Sequence, residues 1–143
     1  MTCIEWEDRF SLGNAELDQH HRHLIDLLNR AYAACMLNNP RDSFTAVIAE
    51  LVEYTHYHFT AEEHSMEQCG YPGLVTQQKE HALFIEKLAD FTRSLESNPN
   101  GSSIELVELT GFLADWVVLH IINVDALFGD YLKNLNKTTD TTD

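Results

Sequence analysis

At 143 residues and 44% hydrophobic, the chain is long enough to bury its own core as a single domain, without disulfides or a second subunit to complete it. Nine lysines and arginines against 23 aspartates and glutamates leave a net charge of −14, which repels phosphate backbones and anionic membranes and sets nucleic acid aside as a partner. Cys3, Cys35 and Cys69 are odd in number and lack the paired spacing of a zinc knuckle or a CxxC motif, so they read as reduced thiols of a cytoplasmic protein.

The first residues, Met1 to Asp8, carry three acidic side chains and no basic-then-apolar pattern, so neither a secretory signal nor a transit peptide is expected. Trp6, Phe10 and Leu12 follow without helical periodicity and predict an extended arm docked on the domain, with Gly13-Asn14 as a turn and helix cap. From Ala15, Leu17, His21, Leu24, Leu28, Tyr32 and Cys35 recur at threes and fours. They predict a first helix ending near Asn38-Asn39. Pro40 opens a second, where its missing N–H costs nothing, and Phe44, Ile48, Leu51, Thr55, His58, Glu62 and Met66 carry that stripe toward Cys69.

Gly70-Tyr71-Pro72-Gly73 punctuates the chain as a turn. Leu74, Gln77, His81, Phe84, Leu88, Phe91 and Leu95 then mark a third helix. After the loop Ser97 to Ser102, whose last residue is placed to cap, Leu106, Leu109, Leu113, Trp116 and His120 mark a fourth that runs past Asp125 through Phe128 and Leu132. Apolar runs such as Trp116 to Leu119 are too short to span a bilayer, so no membrane insertion is expected. The prediction is all-α: an up-down-up-down antiparallel four-helix bundle over residues 1–136, led by the arm and trailed by a disordered Thr/Asp-rich tail at 137–143.

Eight histidines are many for this length, and their helical phase separates them. His21, His58, His81 and His120 face the core, one per helix, while His20, His23, His56 and His64 turn away by roughly 100° to 240° toward solvent or rim. A lone inward histidine is more often a hydrogen-bonded core residue than a ligand. Four on antiparallel helices, at roughly seven, eighteen, eight and seventeen residues from their helix starts, fall in one layer instead. Glu62 and Asp125 share that layer, and a bland bundle would bury both acids unpaired. Histidine and carboxylate donors without thiolate favour iron or manganese over structural zinc. Two bridging carboxylates are enough for two metals. His120 and Asp125 stand five apart, about 140° on a regular helix, so a π-type widening is predicted between residues 120 and 125.

Leu17-Asp18-Gln19-His20-His21, His58-Phe59-Thr60-Ala61-Glu62-Glu63-His64-Ser65-Met66, Gly70-Tyr71-Pro72 and Trp116-Val117-Val118-Leu119-His120 through Asp125 resemble the motifs of the hemerythrin family, in particular its single-domain bacterial members. The likeness runs from about Trp6 to Leu132. It implies reversible dioxygen binding, for storage, delivery or sensing, at a non-haem di-iron centre bridged by Glu62, Asp125 and an oxo or hydroxo group. His21 and His58 would hold the iron that keeps a position open for O2. The family's third motif is HxxxH; here it reads Gln77-Gln78-Lys79-Glu80-His81, so the other iron would have His81, His120 and, in place of a third imidazole, Gln77. Leu24, Ile25, Phe59, Trp116, Val117 and Ile121 are candidates for an apolar pocket that keeps water from the bound gas. The alternative is an enzyme: if Gln77 leaves a second open position, the pair could act on peroxide or nitric oxide.

Overall fold

A computed structural model describes residues 4–36, 40–97 and 103–140. Among these, regular structure is helical throughout: α1 (Ala15–Ala34), α2 (Pro40–Gln68), α3 (Leu74–Ser97), α4 (Ser103–His120) and α5 (Ala126–Asp140), with a π-helical turn over Ile121–Asp125 joining the last two. α1 packs on α2 and α4, and α2 packs on α3. With α4, the π turn and α5 forming one continuous helix, the chain makes four helices in an antiparallel bundle.

The arm is fixed by specific bonds. Asn29 accepts from the Ile4 amide and donates back to its carbonyl, both at 2.8 Å. Arg22 lies over the Trp6 ring at 4.1 Å, Phe10 and Leu12 are buried, and a single 3-10 turn at Asp8–Phe10 interrupts the extension. Asp18 accepts from the Leu12 amide at 2.7 Å and from the Ser11 hydroxyl. That aspartate therefore anchors the arm to the first turn of α1. Gly13, at φ +77°, makes the reversal, and Asn14 caps α1 by accepting from the Leu17 amide at 3.1 Å.

α1 stops at Ala34, short of the expected Asn38-Asn39; residues 37–39 and the expected cap Ser102 lie outside the described residues. α2 starts at Pro40 as predicted and ends in a left-handed Gly70, φ +65°, with the Tyr71 amide donating to the Met66 carbonyl at 2.9 Å. Tyr131 on α5 donates to the Cys69 carbonyl at 2.9 Å and so ties that turn to the end of the bundle. The last described helix enters the stretch expected as the tail. α5 continues to Asp140, because extending a nucleated helix adds a backbone bond per residue and needs no apolar side chain. Residues 141–143 lie outside the description.

By length and composition alone, the continuous helical stretch Leu106–Leu135 matches a membrane-crossing segment, which inspection of short apolar runs did not suggest. Its inner face, however, packs in the bundle and carries buried His120 and Asp125, residues costly to turn toward lipid. The core divides in two. A large cluster around Leu27, Leu28, Phe44, Leu51, Phe84 and Leu113 fills one end, and a smaller one of Leu12, Leu17, Met66 and Phe128 fills the other. A polar layer lies between them.

Candidate metal centre

That layer is made by one or two inward positions on each helix: His21 on α1, His58 and Glu62 on α2, Gln77 and His81 on α3, His120 at the end of α4, and Asp125 at the end of the π turn. All seven are buried. Asp125 reaches the layer because the π turn adds a residue, and the Ala126 amide donates to the Ile121 carbonyl five residues back. The predicted irregularity is present where the spacing required it.

The donors separate into two groups, each with its ligand atoms within 4.8 Å of one another: His21, His58, Glu62 and Asp125; and Glu62, His81, His120 and Asp125. The carboxylates belong to both. Glu62 turns Oε2 toward His58 Nε2 (3.3 Å) and His21 Nε2 (3.5 Å), and Oε1 toward His81 Nε2 (3.2 Å). Asp125 turns Oδ2 toward His21 Nε2 (3.2 Å) and Oδ1 toward His120 Nε2 (3.1 Å). Gln77 Nε2 donates to the same Oδ1 at 3.0 Å, which puts the amide on the His81–His120 side.

Three imidazoles are held from behind, each by the helix before its own. His20 on α1 meets His58 on α2, Nδ1 to Nδ1, at 3.0 Å; Glu63 on α2 accepts from His81 Nδ1 on α3 at 2.8 Å; Glu80 on α3 accepts from His120 Nδ1 on α4 at 2.8 Å. Each bond commits Nδ1 and leaves Nε2 for the centre. The sequence of supports stops at the seam between α4 and α1, where His21 Nδ1 has no partner. Aromatic rings brace the same histidines: Phe59 stacks on His81 at 3.8 Å, and Trp116 stacks on both His120 (4.6 Å) and Phe84 (4.2 Å).

Buried polar atoms normally find hydrogen-bond partners. Here Nε2 of His21, His81 and His120 and both Glu62 oxygens lack one and converge within the two donor groups, and Gln77 Oε1 lacks one as well. This donor set fits cations. Without a cation the layer is an ion-pair cluster. Burial alone would depress the His21 imidazole, but Asp125 and Glu62 push it up to about 10. His120 is raised against its burial by Asp125, Glu62 and Glu80. Burial opposes the charge on Glu62, yet the His21, His58 and His81 imidazoles facing it hold its carboxyl well below the usual range. Burial and Glu62 push Asp125 up, but His120 and His21 more than offset them.

Residues 12–132 match the family model of the hemerythrin HHE cation-binding domain. The chain belongs to the hemerythrin family. A bacteriohemerythrin of Stenotrophomonas maltophilia is 32% identical over 93% of this chain and 84% of its own length, and one of Clostridium acetobutylicum is 31% identical over 87% and 98%. A myohemerythrin of Riftia pachyptila is 28% identical over 84% and 86%. A crystal structure of a hemerythrin leucine-to-tyrosine mutant superimposes with a TM-score of 0.80 at 25% identity, covering 91% of this chain and 97% of the other.

A small cavity of ≈ 10 Å³ opens in the layer, with His21, His58, His120 and Asp125 in its wall. Of the six apolar candidates, Leu24, Phe59, Trp116, Val117 and Ile121 line it. Ile25 does not. About 100° further round α1 than Leu24, it is buried in the same core cluster as the lining residues but outside the cavity wall. Thr55 and Phe84 line it too and were not among the expected pocket residues. A much larger groove, ≈ 800 Å³ between α2 and α3, contains none of the seven donors. Convergent polar atoms, rather than volume, mark the site.

His20 corrects a second expectation. It is buried, not at the solvent rim, and its pKa is lowered by that burial and by neighbouring His58. His23, His56 and His64 are exposed as anticipated. Glu63 and Glu80 were also missed. Their signal is present in the sequence, since each is an acid adjacent to an inward donor, Glu62 or His81, and so stands at the edge of the same layer.

Proposed function

We propose that this chain binds two iron ions and takes up dioxygen reversibly at the one held by His21 and His58, as a carrier or store. The observation that carries the reading is the division of Glu62 and Asp125, each of which sends one oxygen to each histidine group. A single cation would leave half of those donors unused. Membership of a cation-binding family and a donor set free of thiolate support iron. A ferrous pair would supply the electrons that hold the gas. The protein's part is to aim four imidazoles inward, to balance charge with two buried carboxylates, and to exclude water with Leu24, Phe59, Phe84, Trp116 and Val117. Free Cys35 and Cys69 agree with a reducing, cytoplasmic setting.

Gln77 supports a second reading. Its nitrogen, not its oxygen, meets Asp125, so the His81–His120 ion would have two imidazoles and an available position. A pair open at both ends could turn over hydrogen peroxide or nitric oxide. Cycling the iron-loaded, reduced protein between argon and air separates the two. Spectra that return to their starting point are expected for the carrier, whereas irreversible oxidation with catalytic consumption of peroxide well above that of free iron would replace it with the enzyme.

A further inference from the structure

We infer that the Thr55 hydroxyl is a hydrogen-bond anchor for a small acceptor ligand, dioxygen or an anion such as azide, held in the cavity beside His21 and His58. A threonine inside a helix usually satisfies its hydroxyl by donating to the carbonyl four residues back. Thr92 does so to Leu88 at 2.9 Å, and Thr110 to Leu106 at 2.8 Å. Thr55 does not. It is fully buried, its Oγ1 has no partner, and it lines the small cavity together with His21, His58 and His120. The other lining residues are apolar or metal-facing donors, so among the described residues Thr55 supplies the cavity's only hydroxyl. Valine has nearly the same shape and would leave nothing unpaired. A hydroxyl in that place acquires a partner once a ligand with accepting atoms enters, and it favours such ligands over purely apolar ones of equal size.

The inference rests on the two-iron reading and is tested so that the two can fail separately. Oxidised, iron-loaded wild type, Thr55→Val and Thr55→Ser are titrated with azide, and all three are also melted in metal-free form. Thr55→Val is expected to bind azide about tenfold more weakly or worse, as for loss of a hydrogen bond to a charged group, while Thr55→Ser stays within about threefold of wild type. The metal-free valine variant is expected to melt at or above the wild-type temperature, because it removes an unpartnered polar atom. Equal azide affinity in Thr55→Val overturns the inference, and so does a marked fall in its metal-free melting temperature, which would assign the hydroxyl a structural bond. If wild type itself loads no metal pair, the two-iron reading fails, and this inference with it.

Discussion

Gln77 occupies the one position where the donor set departs from the pattern it resembles, and its amide shows what the substitution does. Nε2 donates to Asp125 while Oε1 is buried without a partner. Turning the amide by 180° exchanges the two atoms, and the oxygen then faces the His81–His120 side as a neutral donor weaker than imidazole. Gln77→His is therefore expected to slow loss of one metal per chain by on the order of tenfold or more when the loaded protein is challenged with a chelator. An unchanged rate for both metals would mean that glutamine already suffices. Glu63 acts one bond further out, by fixing His81 through Nδ1. Glu63→Leu strands that nitrogen, and metal affinity should fall roughly 10- to 100-fold with the helical content unchanged; full affinity by competition with a colorimetric chelator would remove Glu63 from the site.

Among the elements, the π turn is the one with a function written into its geometry. It is an α-helix with one residue added, which is how a five-residue spacing brings His120 and Asp125 to one face. Deleting exposed Asn123 should restore an ordinary i, i+4 pair and keep the register of α5. The variant is expected to fold, to bind metal and to melt at or above the wild-type temperature; loss of metal binding with the fold intact would show that the widened turn itself is required. The helices and the layer were legible because Leu, Phe and His positions recur with a period that leaves one direction open, toward the bundle axis. His20 escaped for the same reason. Its side chain points not at the axis but across the α1–α2 contact to His58, and helical phase measured from the axis misreads a residue buried between two neighbouring helices. Glu63 and Glu80 likewise act across a helix boundary, which no single stripe records. Thr55 was on its stripe all along, but only the missing i−4 bond distinguishes it from Thr110.

For the whole molecule, the polar layer between two apolar clusters makes metal content and stability one quantity, since whatever binds the folded chain alone stabilises it. The dependence on pH differs between the metal-free and metal-loaded forms. His21 is raised from 6.5 to about 10 in the fold, so in the metal-free protein its contribution is complete below 6.5 and is lost as pH climbs through 10. Glu62 and Asp125 are lowered from 4.5 and 3.8, so theirs is complete above those values and lost on further acidification. Metal-free stability from the layer should thus be greatest between about pH 4.5 and 6.5. Metal binding reverses the alkaline side, because an imidazole must give up its proton to ligate, and affinity rises as protons become scarcer. The gap in melting temperature between the zinc-loaded and metal-free protein is therefore expected to widen from pH 6.5 to pH 9, chiefly because the metal-free form loses its ion pairs. Melts at three pH values with and without chelator measure it directly. A gap that narrows over that range would show that His21 is not a proton-bearing partner of Glu62 and Asp125 in the metal-free fold, and with it would go the account of the layer as a cluster that exchanges protons for metal.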